Sequence, residues 1–265
     1  MTTRGHIECR NIRKVYRAAT GHSALAVDGL TLSIEPNEFV MLLGPSGCGK
    51  STLLNIIAGF EKADSGEALL DDQPILRPGP DRGMVFQDYA LFPWLDIRRN
   101  VEYGLRVKGI RGAVAHQLSD RYLAMAGLTG FESRYPHELS GGMRQRVALC
   151  RVLAIEPAIL LMDEPFAAVD AQTRAILQAE VERIWLQSRK TVVFVTHSVD
   201  EAILLGDRIV VMTARPGTIK AIIPVDLPRP RDPSSPAFSA LRTAVTGLIE
   251  QESVRAFQQS QRVTS

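Results

Sequence analysis

A chain of 265 residues with 45% hydrophobic and 23% charged side chains fits one large α/β domain, or a domain with a small inserted lobe, and excludes a disordered, collagen-like or coiled-coil polymer. Its 31 basic and 29 acidic residues leave a net charge of +2, which gives no electrostatic footprint for nucleic acid. No apolar run approaches the ~18–20 residues that span a bilayer, and the polar start Met-Thr-Thr-Arg-Gly-His lacks the apolar core of a secretory signal, so the chain is expected to be soluble and to stay where it is made.

The N-terminal stretch alternates in places, with Ile7 and Cys9, then Leu30, Leu32 and Ile34, and predicts a small antiparallel sheet at the edge of the core. Phe39-Val-Met-Leu-Leu43 is a short apolar run that breaks into Gly44-Pro-Ser-Gly-Cys-Gly-Lys-Ser-Thr52 and then into Leu53-Leu-Asn-Ile-Ile-Ala58, which reads as strand, loop and helix. Runs of the same kind recur at Gly83–Phe86, Ile159–Met162, Thr191–Val195 and Arg208–Met212. They are continuous rather than alternating, as strands covered on both faces by helices should be, and so predict a mostly parallel sheet. From about Asp88 to Ala154 the chain reads mainly helical, an inserted lobe. After Arg215 come turns rich in proline, and then Phe238, Leu241, Val245 and Leu248 at steps of three and four, the mark of an amphipathic helix. The fold class is therefore α/β, a mostly parallel sheet with an N-terminal antiparallel edge sheet and an inserted helical lobe.

The chemistry is concentrated at the ends of the apolar runs. Gly44-x-x-x-x-Gly49-Lys50-Ser51 fits the phosphate-loop pattern, whose glycines let the backbone curl so that several N–H groups face one phosphate, reinforced by the positive end of the following helix. Gly44, Pro45, Ser46, Gly47, Cys48, Gly49, Lys50, Ser51 and Thr52 are expected to line the nucleotide, with Lys50 on the β- and γ-phosphates and Ser51 on Mg²⁺. Cys48, at the start of a helix, is expected to be an acidified, reactive thiol. With Cys9 and Cys150 it makes three widely spaced cysteines, neither a disulfide framework nor a zinc cluster, in keeping with a reducing compartment. Ile159–Met162 delivers Asp163 and Glu164 to a strand end, where ligands of open α/β sheets bind. Asp163 would orient Mg²⁺, and Glu164 would align or deprotonate the attacking water.

Leu139-Ser140-Gly141-Gly142-Met143, followed by Arg144-Gln145-Arg146, resembles the signature motif of the ABC transporter ATPases, with Met where Gln is commoner. In order with the phosphate loop, Gln87, Asp163-Glu164 and His197, this resemblance covers the chain from about Ile7 to Gly217. It implies a P-loop NTPase fold of the RecA-like kind, with an ATPase domain over 1–217, its helical lobe at roughly 88–154, and a C-terminal extension over 218–265. It implies that Tyr16 stacks on adenine, that Gln87 touches Mg²⁺ or the attacking water and the partner domain, and that His197 holds the γ-phosphate and the water in line. Ser140, Gly141 and Gly142, at the head of a helix over 142–154, would contact the γ-phosphate of ATP held by the opposite subunit, and Asp170 would close the pair-contact loop. Ala167-Ala168-Val169-Asp170 departs from the family's usual Ser-Ala-Leu-Asp.

One phosphate loop and one signature motif occur in the chain, so the composite site requires a head-to-tail homodimer with two ATP molecules. The apolar segment Asp88–Leu95 is read either as lobe core or as a groove for a cytoplasmic helix of an integral membrane permease. The function implied is an ATPase that powers a membrane importer at the cytoplasmic face of the inner membrane, served indirectly by an extracytoplasmic substrate-binding protein. No nucleic acid is expected as partner. Pro93-Trp94 and Thr213–Gly217, with Asp226–Arg231, resemble the nitrate/sulfonate/taurine importer subfamily. The alternative is a non-transport ABC ATPase acting as an ATP-dependent clamp or regulatory module.

Overall fold

The computed structural model describes residues 4–17, 23–167 and 169–263, in two compact units: residues 1–78 with 191–265, and residues 79–190.

In the first unit, β1 (Ile7–Arg17) and β2 (Ser23–Ile34) pair antiparallel, with Ile7 opposite Ile34 and Cys9 opposite Leu32. These four side chains are buried, so the alternating pattern does select the inward face. The other edge of β1 pairs with β4 (Ser65–Leu70), which turns back into the short β5 (Gln73–Pro74) to give the order β2-β1-β4-β5. Asp71 and Asp72 both take positive φ between these strands, the two-residue geometry that matches strand twist in a tight hairpin.

The second sheet of this unit is built on β3 (Phe39–Leu43), whose five side chains are all fully buried. It lies parallel to β8 (Thr191–Thr196) on one side and to β9 (Arg208–Met212) on the other. An antiparallel strand, β10 (Ile219–Pro224), pairs with β9, where the prolines of the sequence suggest only turns. α1 (Lys50–Ala58) packs against β8, β2 and β4, and α6 (Val199–Leu205) against β3 and β8. α7 (Pro236–Val263) packs on α6 and buries Phe238 and Val245, two members of the predicted stripe.

In the second unit β6 (Arg82–Val85) and β7 (Ile159–Asp163) run parallel. The lobe consists of α2 (Ile97–Val107), α3 (Gly112–Met125), a 3-10 turn at Pro136–Glu138 and α4 (Gly141–Ala154). α4 is its centre, touching α2, α3, β6 and α5 (Ala171–Ser188). Helix starts only at Ile97, because Tyr89 and Ala90 take positive φ and Asp96 caps α2 by accepting the Arg99 amide at 2.7 Å.

Candidate nucleotide site

In the first unit, the phosphate loop leaves β3 at Gly44 and enters α1 through Gly49, whose φ of +93° is left-handed and whose added Cβ would lie 2.7 Å from the Ala26 carbonyl oxygen. Only glycine fits both demands. The first turn of α1 then presents backbone N–H groups and the positive end of its dipole. Lys50 is buried, with its ammonium donating to the carbonyls of Gly44 at 2.7 Å and Pro45 at 3.0 Å. The Cys48 amide closes the loop onto the Pro45 carbonyl at 3.3 Å. Ser46, Gly47 and Ser51 are exposed, and Thr52 is half-buried.

Cys48 departs from expectation. Its side chain is buried, with Sγ 3.7 Å from the Lys50 ammonium. Burial pushes the thiol up and outweighs the opposing pull of Lys50. The sulfur supports the floor of the loop and is not an acidified nucleophile; Sγ would meet a Cβ placed on Gly44 at 2.8 Å.

Strand register gathers further groups at the same sheet edge. Leu43 pairs with Thr196 and with Val211, so the phosphate loop, His197 and the turn after Met212 all leave the C-terminal ends of adjacent parallel strands, where open α/β sheets bind ligands. His197 is exposed, and its backbone is anchored on both sides. The Thr196 hydroxyl donates to Glu201 at 2.6 Å and accepts the Ser198 amide at 3.0 Å, while Ser198 caps α6. The Tyr16 hydroxyl lies 3.5 Å from that of Thr52, with the Lys14 ammonium 5.4 Å from its ring centre, so this aromatic stands beside the end of the loop.

The second unit carries its own cluster at a strand edge. Val85 pairs with Met162, which brings the exposed Gln87, two residues past β6, to the same edge as Asp163 and Glu164. Glu164 has φ +44°, a conformation that costs a residue with a Cβ about 1–3 kcal/mol and is characteristic of functional positions. Nothing in the sequence announces that strain. Asp170 caps α5, accepting the amides of Gln172 and Thr173 at 3.1 and 3.0 Å, and these bonds hold its carboxyl below the usual range. Ala168, in the departing tetrapeptide, lies outside the described residues.

Ser140 caps α4 by accepting the Met143 amide at 3.3 Å, and α4 begins one residue earlier than expected, at Gly141. Gly142 is fixed by packing, since a Cβ there would meet Thr173 Cγ2 at 2.6 Å. Two arginines of α4 hold the segment that follows Gln87. Arg151 donates to the carbonyls of Tyr89 and Ala90, and Arg144 lies 5.8 Å from the Tyr89 ring centre. These contacts have no signature in the sequence beyond positive charge at helical spacing.

The donor set suits Mg²⁺–ATP. Among the described residues no cluster of three His, Cys, Asp or Glu could hold a metal alone, and a magnesium ion shared with phosphates and waters needs only one or two protein groups. Ser51 and Asp163 are of the right type.

Residues 27–167 match the family described as ABC transporter. An uncharacterised ABC transporter ATP-binding protein of Methanocaldococcus jannaschii is 49% identical over 250 residues, covering 94% of this chain and 93% of that one. The nitrate import ATP-binding protein NrtD of Synechocystis is 44% identical over 223 residues, 84% of either chain. Among solved structures, the dimeric post-hydrolysis state of the ATP-binding cassette MJ0796 bound to ADP and Pi aligns with a TM-score of 0.73 at 33% identity, over 83% of this chain and 98% of that one.

Proposed function

Because this chain belongs to the ABC transporter family of ATP-binding proteins, we propose that it is the ATP-hydrolysing subunit of an importer for a small oxoanion, nitrate first among them. The observation that carries the reading is the emergence of each chemically suited group from the C-terminal end of a parallel strand. The phosphate loop follows β3 and His197 follows β8 in one unit, while Gln87 follows β6 and Asp163-Glu164 end β7 in the other.

In this reading Lys50 and the backbone N–H groups of the 44–52 loop, Pro45 excepted, bind the phosphates, Tyr16 stacks on the adenine, and Ser51, Gln87 and Asp163 would hold Mg²⁺. Held there, Mg²⁺ would supply positive charge to offset the negative charge that develops on the phosphates. Glu164 orients the attacking water and takes its proton, and His197 holds the γ-phosphate in line. Ser140, Gly141 and Gly142 serve the ATP of a second copy, with Asp170 in the pair-contact loop. A homodimer is supported by the dimeric state of the MJ0796 cassette, and this reading makes it head-to-tail.

Membrane permease subunits and, through them, an extracytoplasmic binding protein complete the transporter. No helix among the described residues is long and apolar enough to cross a membrane; the likeness to an import ATP-binding protein supports a subunit that would sit peripherally on the cytoplasmic face. An aromatic group on the lobe, Phe92 with Trp94 and Tyr103 at ring-centre distances of 5.6 and 4.5 Å, leaves Trp94 70% exposed and would meet the permease. The clamp alternative would need a long coiled coil between the phosphate loop and Leu139. That interval instead holds short strands, the rest of α1, a 3-10 turn and two further helices, of 11 and 14 residues.

Nitrate is favoured over sulfonate or taurine by the likeness to NrtD. The test is reconstitution with permease and binding protein in vesicles. Nitrate should raise ATP hydrolysis severalfold, whereas sugars and amino acids should not, and Glu164→Gln should bind ATP yet lose turnover by about 100-fold or more. Stimulation by taurine or an alkanesulfonate alone would reassign the cargo, and full turnover in Glu164→Gln would remove that residue from its role.

A further inference from the structure

The turn between β9 and β10 is locked on itself. The Thr213 amide donates to the Thr218 carbonyl at 3.0 Å, and its hydroxyl donates to the Pro216 carbonyl at 2.8 Å while accepting the Thr218 amide at 2.9 Å. So held, it lies on the phosphate loop at two successive residues. Arg215 donates through Nε to the Gly47 carbonyl at 3.0 Å, and its guanidinium packs so close that a Cβ on Gly47 would sit 2.8 Å from Nη2. Gly217 faces the next residue, where a Cβ would come within 2.0 Å of the Cys48 carbonyl oxygen. Gly217 is also tied to β2, donating to Ala26 at 2.9 Å and accepting from Asp28 at 3.1 Å.

From its other side the turn is fastened to the C-terminal helix. Glu252 of α7 is 1% exposed and accepts the buried Ala214 amide at 2.9 Å. Its carboxylate is paired with Lys220 of β10 at 2.8 Å and Arg255 at 3.0 Å, and Lys220 also donates to the Leu248 carbonyl at 3.0 Å. A buried carboxylate placed on one backbone amide is costly unless it is so paired. Here the pairing is present, and its target is the residue adjacent to Arg215.

We propose that Arg215 is a positioning residue for ATP binding, and that Glu252 keeps it in place through Ala214, so that α7 tunes the affinity of the phosphate loop. The peptide group is planar, so fixing the Gly47 carbonyl fixes the opposed N–H of Cys48, which closes the loop onto Pro45. An exposed guanidinium contributes little to stability by itself; its consequence is the loop shape that it selects before nucleotide arrives. The inference rests on reading residues 44–52 as the phosphate cradle.

The test is a double-mutant cycle on the full chain, with ATP affinity from calorimetry and KM and kcat from hydrolysis. Arg215→Ala should raise Kd and KM about tenfold, with kcat within about twofold of wild type and melting within about 2 °C. Arg215→Lys, which still offers a donor, should recover most of the loss. Glu252→Ala should weaken ATP in the same direction, and the double variant should be no weaker than Arg215→Ala alone, because the two act in series. Should Glu252→Ala not fold, Glu252→Met, which keeps the bulk of the side chain but offers the Ala214 amide no oxygen acceptor, replaces it under the same criterion. Unchanged affinity in Arg215→Ala, or additive effects in the double variant, overturns the inference. Lys50→Ala separates this from the underlying reading: if it too leaves ATP binding intact, the phosphate cradle itself is wrong.

Discussion

A thiol at the start of a helix is ordinarily acidified by the helix dipole and by nearby cations, and Cys48 has both a helix and Lys50 beside it. Burial wins because the sulfur, 1% exposed, has no water to solvate its charged form. Cys9 and Cys150 are buried too, and each is pushed up to about 12. All three thiols therefore stay protonated in the folded protein across the neutral and mildly alkaline range. Native protein at pH 8 should resist maleimide with or without ATP, and all three sites should label together once denaturant unfolds the chain. Rapid labelling of Cys48 in the folded protein, seen by mass spectrometry, would show that the loop opens far enough to expose it.

Among the elements, the non-helical entry to the lobe is held from α2 by one buried side chain. Asn100 is fully buried on α2, its amide nitrogen 3.1, 2.9 and 3.0 Å from the carbonyls of Phe92, Leu95 and Asp96, while its oxygen accepts the Phe92 amide at 2.8 Å. Asn100→Ala strands these backbone groups, each at a cost of roughly 1–3 kcal/mol. Melting should fall by about 5 °C or more, and hydrogen exchange at Phe92 and Leu95 should quicken. ATP affinity of the isolated subunit should hold, since the phosphate loop belongs to the other unit. An unchanged melting point and exchange rate would contradict this. Asn100 also shows where sequence reading reaches its limit. Buried strands such as β3 and β7 are legible because whole runs are apolar, and the phosphate loop because its glycines are spaced by geometry. The half-exposed β10, with Ile222 44% exposed and Pro224 at its end, offers neither an apolar run nor clean alternation. The anchors Arg151, Arg215 and Glu252 act on backbone groups 38 or more residues away, while Asn100 reaches back over an irregular stretch to Phe92, Leu95 and Asp96, and no periodic pattern encodes either.

For the whole molecule, stoichiometry follows from the parts. In the proposed dimer the one phosphate loop and the one Ser140-Gly141-Gly142 segment of each chain make two composite sites, each with the loop of one copy and the segment of the other. Ser140 already caps α4, its hydroxyl on the Met143 amide, and the exposed start of that helix offers its dipole to an anion. Ser140→Arg removes the cap, at about 1 kcal/mol, and places a bulky side chain at the proposed dimer face. Nucleotide affinity of the isolated mutant should stay within about twofold, because its own phosphate loop is untouched, while ATP-dependent dimers and hydrolysis should disappear. Mixing it with Lys50→Ala subunits gives pairs in which one site receives both defects and the other neither. Such mixtures should regain a fraction of turnover that neither parent shows, measured as ATP hydrolysis against mixing ratio. If the pure Ser140→Arg protein dimerises and turns over normally, the signature segment does not serve the partner's nucleotide, and the shared site must be abandoned.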